Sequence, residues 1–300
     1  MTGPAETGAP RRLLLLHAHP DDETIMTGGT IAHYLADGVD VRVLTFTLGE
    51  EGEVIGETWA QLVADGGAGA DQLGGYRIAE LTRALAALTP PGLPPLRPRF
   101  LGGAGHWRDS GMAGTPSAEH PRALIGAPFD EVVDALVAEL VDFAPQVVVT
   151  YDSVGTYGHP DHRMVHDASM AALPIAEERL GRRFRVFESV TEESALSAGI
   201  AAAVDRVPEG WRLPETGELP SYPDGVVTAE VDIRDVYDRK VAALGEHATQ
   251  VTVAPSGTEY ALSNAILQPI GDREHYIERV SDGPVGTPNA RTTDLFAGIA

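Results

Sequence analysis

Two runs of consecutive apolar residues, Leu13-Leu14-Leu15-Leu16 and Val147-Val148-Val149, constrain the fold of this chain most. A strand with one wet face alternates apolar and polar residues; these runs do not, so each reads as a strand buried in a sheet. Each leads into a polar cluster, His19-Pro20-Asp21-Asp22-Glu23 after the first and His159-Pro160-Asp161-His162 after the second. As neighbours in an open α/β sheet, the two strands would bring both clusters to its carboxyl edge, where such folds keep their sites.

From Leu13 onward, short β-type runs alternate with helical stretches, the rhythm of a parallel sheet with crossover helices. The spacing predicts a strand over 13–17, a helix over 24–37 closed by Gly38, and a strand over 39–47. A helix follows over 72–88, where Leu73, Leu81, Ala84, Leu85 and Leu88 form an apolar stripe. The prolines of 90–98 end it and lead into a strand over 99–101. Residues 102–128 read as a long loop, and Trp107, Arg108, Asp109 and Met112 within it favour a substrate-facing role over disorder. A helix over 129–143 and a strand over 146–151 come next. In the last third, 183–190 predict a strand and 233–247 a helix, joined by Gly/Pro-rich connections. No repeat or linker divides the chain. The expectation is an α/β fold with a mostly parallel sheet, helices on both faces and a C-terminal elaboration. It forms one domain over 11–300 behind a loose tail at 1–10.

Twenty-two basic against 44 acidic side chains give a formal charge of −22. So acidic a surface argues against non-specific binding to nucleic acid or anionic membrane. With no cysteine, disulfides, thiolate nucleophiles and Cys-ligated zinc are excluded. Arg11-Arg12 and the four leucines imitate a secretory signal, but the apolar stretch stops at His17 and no later run could span a bilayer. The expected location is cytoplasmic. Dinucleotide, P-loop and G-x-S-x-G patterns are missing, which leaves the His/Asp clusters to carry the chemistry.

Pro20 ends ladder pairing and turns the chain out of the sheet, so His19 and Asp22 can face one ion. His162 is a natural third ligand. Two nitrogens and one oxygen with room for water match the three-ligand pattern of catalytic zinc, and also suit iron(II) or cobalt. Such an ion would lower the pKa of a water toward ~7. Asp21 is then free to act as general base. His159 can stabilise or protonate an oxyanion, with Asp161 setting its tautomer and charge, and Tyr157 can add a hydrogen bond. The competing reading of the acidic pair is a helix N-terminal cap. His166 is a rival ligand four residues after His162, read instead as outside the ligand set. His17 reads as buried and hydrogen-bonded. His247, at a helix end, reads by default as a cap on the dipole.

His17-Ala18-His19-Pro20-Asp21-Asp22-Glu23 together with Gly158-His159-Pro160-Asp161-His162 resembles the LmbE-like (PIG-L) family of zinc-dependent N-deacetylases. The segments 47–56, 72–77, 107–112 and 247–251 resemble one branch of it, which acts on N-acetylglucosaminyl-inositol in mycothiol biosynthesis. The resemblance implies a Rossmann-like fold and a small amino-sugar–inositol substrate. It implies His19, Asp22 and His162 as ligands of Zn2+ (Fe2+ or another divalent ion being possible) and Asp21 as base. By the same motifs His159 stabilises the oxyanion, Asp161 is its carboxylate partner and Tyr157 the mobile tyrosine. Arg77 and Asp109 match residues that hold sugar and inositol hydroxyls, and Glu53 is a further addition. Ion pairing is the other reading of Arg77. A related mycothiol S-conjugate amidase carries a lysine where this chain has Thr27, which tilts the expectation to the deacetylase. The remaining alternative is a non-catalytic sugar-binding module with a structural metal.

Overall fold

A computed structural model describes residues 10–64, 69–279 and 291–299. The strand β1 (Arg12–His17) leads into α1 (Asp22–Ala36), and β2 (Asp40–Thr45) into α2 (Leu73–Leu88). After the loop come α3 (Phe129–Phe143), β3 (Val147–Thr150), α4 (Pro160–Leu180) and β4 (Arg185–Val190). The last third adds α5 (Glu193–Ala203), β5 (Ala229–Asp232), α6 (Tyr237–Glu246), β6 (Thr252–Val253), β7 (Glu259–Ala261), β8 (Gln268–Pro269) and β9 (Arg273–Arg279).

Six strands form the main sheet in the order β2-β1-β3-β4-β9-β5. The first four are parallel and β9 runs antiparallel to β4 and β5. This is the expected Rossmann-like, mostly parallel α/β architecture. The chain moves outward from β1 to β2, then returns to place β3 on the other side of β1, so a topological switch point lies between β1 and β3. Leu15 pairs with Val149 across it.

The apolar runs are buried on both faces, as their lack of alternation requires. Leu13, Leu15, Val147 and Val149 pack with α1, α2 and Ala243 of α6. Leu14, Leu16 and Val148 face the other way, against α3 and α4. Gly38, at φ 73, closes α1 by donating to the carbonyl of Leu35. His159 caps α4 with Pro160 in its first turn, where the missing N–H does no harm.

Three expectations change. Residues 99–101 are not a strand: Phe100 makes a single bridge to Thr45, because Gly102 and Gly103, at φ 70 and 102, turn the chain away. The loop over 102–128 contains 3-10 turns at Pro116–Glu119 and Leu124–Gly126 and buries Trp107 and Leu124 in the core. The helix expected over 233–247 is a 3-10 turn, Arg234–Val236, followed by α6. The tail expected at 1–10 lies outside the described residues apart from Pro10. Among the described residues no helix is long and apolar enough to cross a membrane.

Candidate metal centre

Because β1 and β3 are neighbours, the segments that follow them leave the sheet side by side. The His19 amide donates to Asp22 Oδ2 at 2.9 Å, and the Tyr151 hydroxyl donates to the same oxygen at 2.7 Å. That oxygen lies 3.3 Å from His19 Nδ1 and 3.4 Å from His162 Nε2. His159 brings a nitrogen within 4.8 Å of those of His19 and His162. The predicted ligand trio is therefore together, with His159 beside it. Tyr151, whose ring stacks on His162 at 4.2 Å, was not anticipated. Its signal was an aromatic directly after a buried strand, whose hydroxyl must find a partner.

These residues fit a divalent cation. His162 is 1% exposed and neither ring nitrogen has a hydrogen-bond partner, an arrangement that is costly unless an electrophile takes the lone pair. His19 Nε2 faces Asp109 Oδ1 and Asp161 Oδ2, each at 3.3 Å, so its other nitrogen is aimed into the cluster. The surrounding field favours positive charge. Burial opposes a charged His19, yet Asp109, Asp161 and Asp22 hold its imidazole well above the usual range. Asp22, also against burial, is held well below the carboxylate range by His162 and His19.

Asp21 sits beside this cluster in a conformation L-residues rarely adopt, φ 111 and ψ −35. Burial pushes its carboxyl up to about 6, with Arg77 opposing and Asp22 adding to the rise. Arg77 is 2% exposed. It contacts Asp21 Oδ1 at 3.0 Å and donates to the carbonyls of Gly49, at 2.6 Å, and Pro20. A Cβ at Gly49 would lie 2.1 Å from the guanidinium, so glycine at 49 is what lets Arg77 come so close. Arg77 is thus buried and ion-paired, and it also lines the cavity beside the cluster.

The remaining predicted residues divide by what they touch. Asp109 is buried; its oxygens accept the amides of Gly111 at 2.8 Å and Glu51 at 3.2 Å while facing His19. His159 Nδ1 accepts the Asp161 amide at 3.2 Å, which leaves the proton of the neutral ring on Nε2. Burial, with His19 and His162 nearby, pushes its pKa down to about 3. The partnership expected between the Asp161 carboxylate and His159 is corrected here. That carboxylate accepts the Ser110 amide at 3.0 Å and faces His19, because His159 caps α4 and the backbone of Asp161 makes the contact. Tyr157 is 56% exposed, with its ring 5.3 Å from that of His162. Glu53 is exposed and accepts from Ser263 Oγ at 2.7 Å. His166 faces Asp167 and Glu188, away from the cluster. His17 is buried on Thr27 Oγ1 at 3.1 Å. Thr27 itself is fully buried and donates to the Glu23 carbonyl. His247 ends α6 at its C-cap, as expected, and its ring is fully buried against Glu23.

The cluster opens into a cavity of about 1930 Å³. Glu53, Met112 and Tyr157 line it, and Tyr222, Asn264 and Arg273 bring the C-terminal elaboration into its wall.

Residues 14–173, more than half of the chain, match the family PIG-L, described as GlcNAc-PI de-N-acetylase. The chain is 69% identical over 287 residues to the 1D-myo-inositol 2-acetamido-2-deoxy-alpha-D-glucopyranoside deacetylase of Gordonia bronchialis, covering 96% of this chain and 100% of that one. The protein of the same description from Rhodococcus jostii is 57% identical, over 96% and 98% of the two chains. Among solved structures, 4-carboxy-2-hydroxymuconate hydratase of Pseudomonas putida shares the fold with a TM-score of 0.54 at 18% identity, over 91% and 99% of the chains. N,N'-diacetylchitobiose deacetylase of Pyrococcus horikoshii shares it with a TM-score of 0.50 at 18% identity, over 79% and 70%. A hydratase and a deacetylase on one fold leave function to the site rather than the architecture. On the family match and the near full-length relatives, the chain belongs to the PIG-L family.

Proposed function

We propose that this protein hydrolyses the acetamide of 1D-myo-inositol 2-acetamido-2-deoxy-α-D-glucopyranoside, releasing acetate and the free amine for mycothiol biosynthesis. The observation that carries the reading is the convergence of His19, Asp22 and His162, with the raised carboxyl of Asp21 alongside. The names of the near full-length relatives support the substrate. Buried Thr27, where the S-conjugate amidase carries lysine, supports the deacetylase within the branch.

His19, Asp22 and His162 would hold the cation, zinc in this reading. Bound there, it supplies Lewis-acid polarisation of the acetamide carbonyl and a water acidic enough to react near neutral pH. Asp21, ionised above about pH 6, takes the proton from the attacking water and returns it to the departing amine. His159, neutral and with its proton on Nε2, donates to the oxygen that gains charge. Tyr157, at the exposed rim, adds a second donor. Asp109 and Asp161 orient His19 and Arg77 orients Asp21, and Arg77 and Asp109, which both line the cavity, hold sugar and inositol hydroxyls together with Glu53. The metal-loaded protein should release acetate from N-acetylglucosaminyl-inositol. No acetate with zinc, iron(II) or cobalt(II) would refute the assignment.

A further inference from the structure

We propose that Glu23 and His247, neither of them in the ligand set nor facing the reaction, are positioning residues that hold Asp21 in the backbone conformation from which it acts as base. The proposal deepens the deacetylase reading and rests on it for its kinetic consequence.

A non-glycine residue at φ 111 stays there only if its surroundings over-determine it. The carbonyl of Asp21 accepts from the amides of Thr24 and Ile25, as at the start of any helix. Its own amide is held differently. It donates to Glu23 Oε2 at 2.9 Å, a side chain two residues ahead that folds back from the first turn of α1. Glu23 is fully buried, so its charge needs partners, and it has them. Thr24 Oγ1 donates to Oε1 at 2.5 Å, and His247 Nε2 lies 3.0 Å from the same oxygen.

His247 is fully buried too, and its place is set from α2. The amides of Gln250 and Val251 close a turn on the His247 carbonyl. Thr249 in that turn donates twice to Glu80, from its amide at 2.9 Å and its hydroxyl at 2.7 Å. Glu80 lies three residues after Arg77, on the same face of α2. One helix therefore grips Asp21 at both ends. Arg77 takes the carboxylate directly, and Glu80 acts through Thr249, His247 and Glu23 on the backbone amide. This gives His247 and Thr249 a task, while Gln250 of the same segment lines the cavity.

The test is a double-mutant cycle between Glu23→Ala and Asp21→Asn in the metal-loaded full-length protein, with a crystal structure of Glu23→Ala. A misplaced base should lower kcat about 100-fold, with KM and bound zinc unchanged within about twofold. In the Asp21→Asn background, Glu23→Ala should cause no further loss, and Glu23→Gln, which keeps an acceptor for the Asp21 amide, should restore part of the rate. In the crystal, Asp21 should leave positive φ and part from Arg77. Equal losses in both backgrounds, or an Asp21 that keeps its conformation, would overturn the proposal. If Glu23→Ala does not fold, His247→Asn carries the same comparison. A wild-type protein with no deacetylase activity would sink the functional reading, while the crystal structure would still decide whether this pair holds Asp21.

Discussion

At the level of single residues, the proposed mechanism gives Asp21 and His159 separable tasks. Asp21→Asn keeps size and removes the proposed base, so kcat should fall by about 10²–10⁴ with bound zinc unchanged by elemental analysis. An undiminished rate would exclude Asp21 as base. The sign of the pH effect follows from its raised carboxyl. A base must be ionised, so kcat/KM should climb as pH rises through about 6 and level off above it. An acidic limb near the ordinary carboxylate pKa would contradict that assignment. His159→Ala should depress turnover far more than metal content, since its Nδ1 is already taken by the Asp161 amide; the reverse pattern would make it a ligand. The cluster itself was legible because both histidine motifs follow buried strands. What could not be read was which partner each charged atom takes. Asp161 lies two residues from His159 yet turns its carboxylate to His19, and Arg77 reaches Asp21 from another helix. Those choices depend on helix caps and loop glycines that meet only in the folded chain.

At the level of elements, legibility followed burial. β1, β3 and α3 were plain because each carries an unbroken apolar run or a strong helical stripe. The missed strands β5 and β9 complete an antiparallel edge, and β9 shows mixed exposure with charged residues along it. α4 was hidden by its polar start and by Pro174 in its interior. The contact between α1 and the turn before α6 gives a sharp prediction. A Cβ on Gly29 would meet Ile233 Cδ1 at 2.4 Å, in a fully buried contact. Glycine to alanine in a helix interior gains about 1 kcal/mol of propensity, whereas overpacking a core costs about 1–3 kcal/mol. With so short an approach the clash should win, and Gly29→Ala should lower unfolding free energy by about 1–2 kcal/mol. Adding Ile233→Ala should remove the clash, so the two changes together should cost less than the sum of each alone. Strict additivity in denaturant melts would show that the two side chains do not meet.

For the molecule as a whole, the cation should act on stability as well as on catalysis. The chain carries a formal charge of −22, and four carboxylates, Asp21, Asp22, Asp109 and Asp161, are buried around one cluster. His19, held well above its usual pKa by three of them, supplies part of the compensating positive charge. A divalent ion that binds the folded chain and not the unfolded one adds RT ln(1 + [L]/Kd), about 2.7 kcal/mol at a hundredfold excess over Kd. For a chain of this size that corresponds to a rise in Tm of roughly 4 °C. Chelation should therefore lower Tm, and added zinc should restore it in a concentration-dependent way. The effect should shrink as pH falls, since the ion must displace the His19 proton that the carboxylates retain. His162→Ala, which removes one nitrogen of the trio, should flatten the zinc response, and because its buried ring stacks on Tyr151 the chelated protein should also lose some stability. If His162→Ala kept the full zinc-dependent shift, the stabilising ion would sit elsewhere and the ligand assignment at the β1–β3 switch point would fall.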